Sequence, residues 1–346
     1  MISFLKKIFT KNYPEDDRVV LGFWGNLPSP IWALAPMADV TDQAFRRIIA
    51  KYSRAGQPAG GPDVFWTEFV SVDGLLSPGR EVLQRDLDYT ESERPLVAQI
   101  FGAKPDNFER IAQMLVEQGF DGIDINMGCP DRSVNKQGAG AALCKTPQLA
   151  QDIIRATKRG AGNIPVSVKV RLGWNHDETE KWMPALLKTK PAVITIHART
   201  RQDMSKTDPS WTAVKRAVEL RDKISPETKI IANGGIMNHE QGRDVISQTG
   251  CDGIMMGKAV FGNPWLFDEN HKPPSVTEKL TVMLEHTKLF TELLGDIKNF
   301  AIMKKHYKAY ANGFSGAKEL RIKLMTAITP QDVENYVDNF LLSYEK

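Results

Sequence analysis

A thiol, a set of cations and several carboxamides recur at the ends of short apolar runs in this chain: Gln99, Asn126, Cys129, Lys169, Arg171, His197, Asn233 and Lys258. Cys129 precedes a proline, which confines it to extended or turn geometry at the start of a loop. With an ordinary pKa near ~8.5 its thiol is mostly protonated at neutral pH, the form a general acid needs. Nucleophilic work would demand an activating base, and no residue stands out for that role. Lys169 and His197 are donors that could stabilise developing negative charge, while Gln99 offers both a donor and an acceptor. Taken singly, Lys169 also reads as a paired structural cation and His197 as a core histidine.

These residues need a scaffold that brings distant chain segments to one place. Runs rich in Val, Ile and Ala occur at Ile31 to Met37, Asp63 to Phe69, Pro95 to Gly102, Gly122 to Gly128, Pro165 to Gly173, Ala192 to Arg199, Lys229 to Ile236 and Gly253 to Ala259. Helical spacing fills most intervals, as in Asp42 to Tyr52, Asp106 to Gln118, Pro147 to Lys158, Glu178 to Lys188, Pro209 to Leu220 and Glu240 to Gln248. Alternating β and α segments with near-continuous apolar strands predict a TIM (β/α)8 barrel over residues 28–270. An open doubly wound sheet is the competing topology, but the first run ends in Ala35-Pro36-Met37 without the glycine-rich turn such a sheet uses for dinucleotides. The polar, proline-bearing segment Asp268 to Ser275 reads as a linker, and residues 276–346 as a small α-helical bundle. Residues 1–27 form an N-terminal extension.

In a barrel of this kind the residues that close each strand share one rim, where active sites lie. The seventh and eighth runs close with Asn233-Gly234-Gly235 and Gly257-Lys258, the positions where barrels hold phosphate on backbone amides. Lys169 and His197 then point between that phosphate and the barrel centre. A lysine there would favour the charge-bearing state of a reduced flavin, and Gln99 suits the uracil-like edge of its ring. Lys136, in a glycine-rich loop after Cys129, is a cation above the rim or an ordinary solvated lysine.

Composition constrains partners less than distribution does. Forty-five basic and 42 acidic residues leave a formal charge of +3, too little to argue for a nucleic-acid ligand. Between Lys298 and Lys323, however, seven basic residues face Glu319 alone. Lys304, Lys305, Lys308 and Arg321 lie in that stretch, interleaved with Tyr307, Tyr310 and Phe314, which suggests an RNA-contacting face with stacking. A solvated helix face is the plain alternative. Three widely spaced cysteines fit no metal pattern, and the N-terminus lacks the core of a signal peptide, so reduced thiols, a cytoplasmic location and no membrane segment are expected.

The chain resembles the tRNA dihydrouridine synthases through Ala35-Pro36-Met37-Ala38-Asp39, Thr67-Glu68, Val97-Ala98-Gln99, Asn126-Met127-Gly128-Cys129-Pro130, Lys169-Val170-Arg171-Leu172-Gly173-Trp174, His197-Ala198-Arg199-Thr200-Arg201, Asn233-Gly234-Gly235-Ile236 and Gly262-Asn263-Pro264-Trp265. The resemblance implies an FMN-bearing barrel, a helical tRNA-binding unit, NADPH or NADH as reductant, and a monomer. FMN would meet Pro36, Met37, Gln99, Lys169 and His197, with Asn233, Gly234, Gly235, Gly257 and Lys258 at its phosphate end. Asn126 would contact the target uracil, flipped out of the RNA, while hydride reaches uracil C6 and Cys129 protonates C5. Arg171, Arg199 and Arg201 would hold RNA. Lys258 stands where the family usually carries arginine. Two other readings compete: an FMN barrel reducing a free pyrimidine or an enone, and an RNA-binding barrel without activity.

Overall fold

The computed structural model describes residues 18–344, so most of the expected N-terminal extension, residues 1–17, lies outside the described part. Strands β1 (Ile31–Leu34), β2 (Phe65–Trp66), β3 (Val70–Ser71), β4 (Leu96–Phe101), β5 (Gly122–Met127), β6 (Val166–Arg171), β7 (Val193–His197), β8 (Lys229–Asn233) and β9 (Gly253–Met256) form one sheet. Its order is β1-β9-β8-β7-β6-β5-β4-β2, and every pairing is parallel. A parallel bridge between Ala33 and Val64 joins the first stave to the second and closes the barrel. The second stave departs from expectation: of the run Asp63 to Phe69 only Phe65–Trp66 is strand, and pairing with β4 resumes in β3, just past the run's end. Between them the Thr67 hydroxyl receives the Gln99 amide at 3.0 Å, a side-chain bond where a ladder bond would otherwise run.

Helices α1 (Gln43–Tyr52), α2 (Val72–Leu75), α3 (Arg80–Gln84), α4 (Pro105–Glu117), α5 (Arg132–Lys136), α6 (Pro147–Ala161), α7 (Thr179–Leu187), α8 (Trp211–Ile224) and α9 (His239–Thr249) follow the strands. Local chemistry starts several of them. Asp42, Ser210 and Asn238 accept the amides of Phe45, Ala213 and Gln241, and a proline opens α4 and α6. The apolar faces of these helices close on strands buried along most of their length, which gives the barrel wall its core.

After the linker, Ser275 caps α10 (Val276–Leu294), followed by α11 (Lys304–Tyr310), α12 (Ala317–Thr326) and α13 (Pro330–Tyr344). Their core of Met283, Phe290, Met303, Tyr307, Leu324 and Val337 extends onto Ala44 and Ile48 of α1, so the helices are seated on the barrel wall. Polar ties reinforce the seat. Glu285 meets Lys51 and Tyr52, Arg85 meets Asp296, and Lys298 reaches Glu68 and Asp86 beside the rim.

Two imidazoles are sealed within that seat. His286 and His306 meet edge to face at 4.7 Å, with Phe45 stacked on the first and Phe261 on the second. None of their four ring nitrogens finds a partner. Burial pushes His286 down to about 3 and His306 well below the usual range, so both are neutral in the fold. The unfolded chain binds protons on them below about pH 6.5 while the folded chain does not. Their contribution is therefore complete above about pH 6.5 and is lost as pH falls toward 3, by up to about 2.7 kcal/mol per pH unit for two protons. Urea unfolding between pH 7.5 and 4.5 should show that slope, and replacing both histidines with leucine should flatten it. An unchanged slope in the double variant would exclude the pair as its source.

Candidate functional site

At the end of β5 the chain turns on the Asn126 side chain, whose Oδ1 accepts the amides of Gly128 at 3.2 Å and Cys129 at 2.9 Å. The Cys129 carbonyl in turn accepts the Ala141 amide at 3.0 Å and the Asn135 carboxamide at 3.1 Å. Gly140, with φ +61°, lets this return strand approach: a Cβ there would stand 2.9 Å from the Cys129 carbonyl oxygen. Cys129 is thus held from both sides, half-buried and unpaired by disulfide. Burial raises its pKa above the ordinary thiol value, against the pull of the Asp131 backbone amide, Arg171 and Lys169. At neutral pH the group is a protonated thiol.

Beneath it runs a hydrogen-bonded chain with a definite direction. Asn126 Nδ2 donates to Gln99 Oε1 at 3.0 Å, and Gln99 Nε2 donates to Asp124 Oδ2 at 2.7 Å. Ser167 donates to the other Asp124 oxygen at 2.5 Å. Because Asp124 accepts, the Gln99 amide is oriented, Asn126 donates to it, and the Asn126 oxygen is left to hold the Cys129 turn. The fully buried Asp124 carboxyl is pushed up to about 6 by desolvation, against the pull of its partners and Lys169. Sequence reasoning missed Asp124. The available signal was its place two residues before Asn126, on the same face of β5, with Gln99 and Ser167 as its cross-strand neighbours.

Cations gather on the neighbouring staves. Lys169 Nζ donates to Asn233 Oδ1 at 3.1 Å, and burial, aided by Arg171, lowers its pKa to about 8. Arg171 gives three N–H groups to backbone carbonyls, those of Gly128, Thr200 and Met204, each at 2.9 Å. It therefore staples the Cys129 loop to the loop after β7. His197 is held well below its usual pKa by burial and by Arg171, Lys169, Arg199 and Lys258, and its Nδ1 is buried without a partner. Arg199 donates through Nε to the Thr207 carbonyl at 2.7 Å.

The glycine turn after β8 lies under these side chains. Gly234 and Gly235 have φ of +120° and +80°, which a residue with a side chain rarely adopts. A Cβ on Gly234 would stand 3.2 Å from Arg199 Nη1, and one on Gly235 would stand 3.3 Å from Arg199 Nη2. At Gly257 a Cβ would press on Ala35 and on Met37 Sδ, each at 3.2 Å. Pro36 and Met37 are half-buried at this edge, and Lys258 is exposed. The donor set of Lys169, His197 and Arg199, set beside permissive backbone, suits a ligand that carries an anionic end and an electron-accepting body.

The residues expected to face RNA divide. Lys136 is exposed on α5 and Lys308 on α11. Arg201 lies over the Trp174 ring at 4.6 Å, and Lys145 lies over the same ring at 3.5 Å. Lys304 is half-buried, Lys305 donates to the Asp39 carbonyl at 2.6 Å, and Arg321 donates to the Ala311 carbonyl at 2.8 Å. Tyr307 and Tyr310 overturn the expectation of stacking: both are fully buried in the helical core, because helical spacing turns them inward beside Met303. Phe314 packs on Phe340 and Tyr344.

Together, the closed parallel barrel and its cation-lined rim define an α/β-barrel protein that carries a protonated thiol beside buried positive charge. The chain belongs to the dihydrouridine synthase family, whose model matches residues 33–345. It is 39% identical over 325 residues to the probable tRNA-dihydrouridine synthase 2 of Bacillus subtilis, covering 93% of this chain and 97% of that protein. With the probable tRNA-dihydrouridine synthase of Staphylococcus aureus it shares 38% over 321 residues, 92% of this chain and 95% of that one. Among solved structures, histamine dehydrogenase from Rhizobium is similar with a TM-score of 0.50 at 12% identity, over 75% of this chain and 48% of that chain. This chain spans about half the length of that dehydrogenase, and the likeness concerns the barrel fold alone.

Proposed function

We propose that this protein is a tRNA-dihydrouridine synthase, an oxidoreductase that reduces the C5–C6 double bond of uridines in tRNA. The barrel, residues 28–270, holds FMN, and the helices of residues 276–346 hold the RNA. In this reading the protein works as a cytoplasmic monomer with NADPH as reductant. The observation that carries the reading is the meeting of Cys129 with Lys169 and Arg171, close enough that the thiol feels both cations and each cation feels the thiol.

The residues present fit FMN. His197 Nδ1 is an orphaned buried polar atom, Lys169 is a half-buried cation that donates to Asn233, and the Gly234-Gly235 turn lies beside the Arg199 guanidinium. When bound, FMN supplies hydride from N5 to uracil C6. Lys169 and His197 hold its ring, with Gln99, Pro36 and Met37 around it, and Asn233, Gly234, Gly235, Gly257 and Lys258 hold its phosphate end. Cys129 holds the proton destined for uracil C5, and burial keeps that proton on sulfur at neutral pH. Asn126 keeps one N–H free for the base after serving Gln99. Arg171 and Arg201 frame the entrance, with Lys136, Lys304, Lys305, Lys308 and Arg321 placed to neutralise phosphates of the extruded strand.

The test is a map of dihydrouridine in tRNA from cells that lack the gene, complemented by the intact form. Loss of dihydrouridine at defined positions and its return on complementation are expected. Turnover of free uridine at the same rate as tRNA would point instead to a reductase of small pyrimidines.

A further inference from the structure

We propose that Arg199 is a phosphate ligand, the guanidinium that closes over the anionic end of the flavin nucleotide, and not a residue of the RNA surface. The inference rests on the flavin reading above. Arg199 is 8% exposed, and its Nε is committed to the Thr207 carbonyl, which fixes the plane of the fork. Its terminal nitrogens then lie beside the Gly234-Gly235 turn, within 3.2 and 3.3 Å of where side chains there would begin. Positive φ requires glycine at both positions, and a Cβ there would press on this guanidinium and, at Gly234, on the His197 ring.

Charge supports the same placement. Arg199 forms no ion pair among the described residues, although it is buried beside Lys169, Arg171 and His197, which all feel positive neighbours. Asp203 feels the Arg199 charge, but its carboxylate is held by the Thr200 amide and hydroxyl and makes no ion pair with Arg199. A buried guanidinium lacking a carboxylate calls for an anion from outside the chain, and a phosphate monoester supplies about −1.5 to −2 charges in a shape that accepts two parallel N–H bonds. Lys258, the other cation at this end, is exposed and offers only a point charge. Arg199 thus supplies the bidentate contact that Lys258 cannot.

FMN and riboflavin differ only by the phosphate, so the pair isolates the claim. Full-length protein stripped of flavin is titrated with each, following the quenching of flavin fluorescence, for wild type, Arg199→Gln and Arg199→Lys. Arg199→Gln should weaken FMN by about 10- to 100-fold while changing riboflavin less than about 3-fold. Arg199→Lys, which keeps the charge and loses the fork, should fall between, and it serves as the measurement if the glutamine variant does not fold. Equal weakening of both ligands would show a structural role and overturn the proposal, as would unchanged binding of both. Wild-type protein that binds neither flavin would remove the cofactor reading itself, an outcome distinct from any effect of the variants.

Discussion

Cys129→Ala protein is expected to bind flavin and accept electrons from the nicotinamide donor at the wild-type rate, yet to lose dihydrouridine formation by about 10²- to 10⁴-fold, the usual worth of a general acid. The split follows from geometry. The thiol sits on the β5 turn, whereas the glycine turns proposed for the phosphate end follow β8 and β9. The alanine keeps the backbone amide that Asn126 grips, so the turn itself should persist. Serine would be a poor substitute despite its shape, because a hydroxyl does not release its proton in the range where the thiol does. In the wild type the alkaline limb of product formation should lie above the ordinary thiol value, since burial raises the Cys129 pKa. Single-turnover assays with pre-reduced protein and tRNA measure this directly. Undiminished product from the alanine form would remove the acid role.

Lys169→Met should cost about 10²-fold in uridine reduction and shift the bound flavin toward its oxidised state. A unit charge 4 Å from a developing anion contributes roughly 4 kcal/mol at an effective dielectric of 20. Lys169 is half-buried and, among the described residues, donates one side-chain hydrogen bond, to Asn233. Its loss also has a second, independent signature. Lys169 pulls the Cys129 pKa down and depresses that of His197, so both groups should titrate at higher pH in the variant. Potentiometric titration and the pH dependence of Cys129 alkylation would show the two effects. An unaltered potential would mean that the cation does not face the flavin.

Much of this architecture was legible from residue order. Strand ends fall close to the expected places because apolar runs stop where side chains with chemistry begin, and caps such as Asp42 and Asn238 mark helix starts. The second stave was misjudged, since an apolar run does not reveal that Thr67 and Glu68 divert it into side-chain bonds. Charge in the C-terminal helices was also misleading when read as a sum. Lys298 is spent on Glu68, a residue 230 positions away, and Tyr307 turns inward. Local spacing carries no information about partners that far apart. Arg171 illustrates the same limit, because its role as a staple depends on three carbonyls from two separate loops.

The contact of Lys298 with Glu68, together with that of Lys305 with the Asp39 carbonyl, has a bearing on engineering. Glu68 also accepts the Asp39 amide, so the segment carrying Pro36 and Met37 is bolted directly to the C-terminal helices. A chimera that takes its helices from another family member, in order to redirect modification to a different nucleotide, would cut those bolts. Glu68, Asp86 and residues 36–42 should therefore travel with any such transplant.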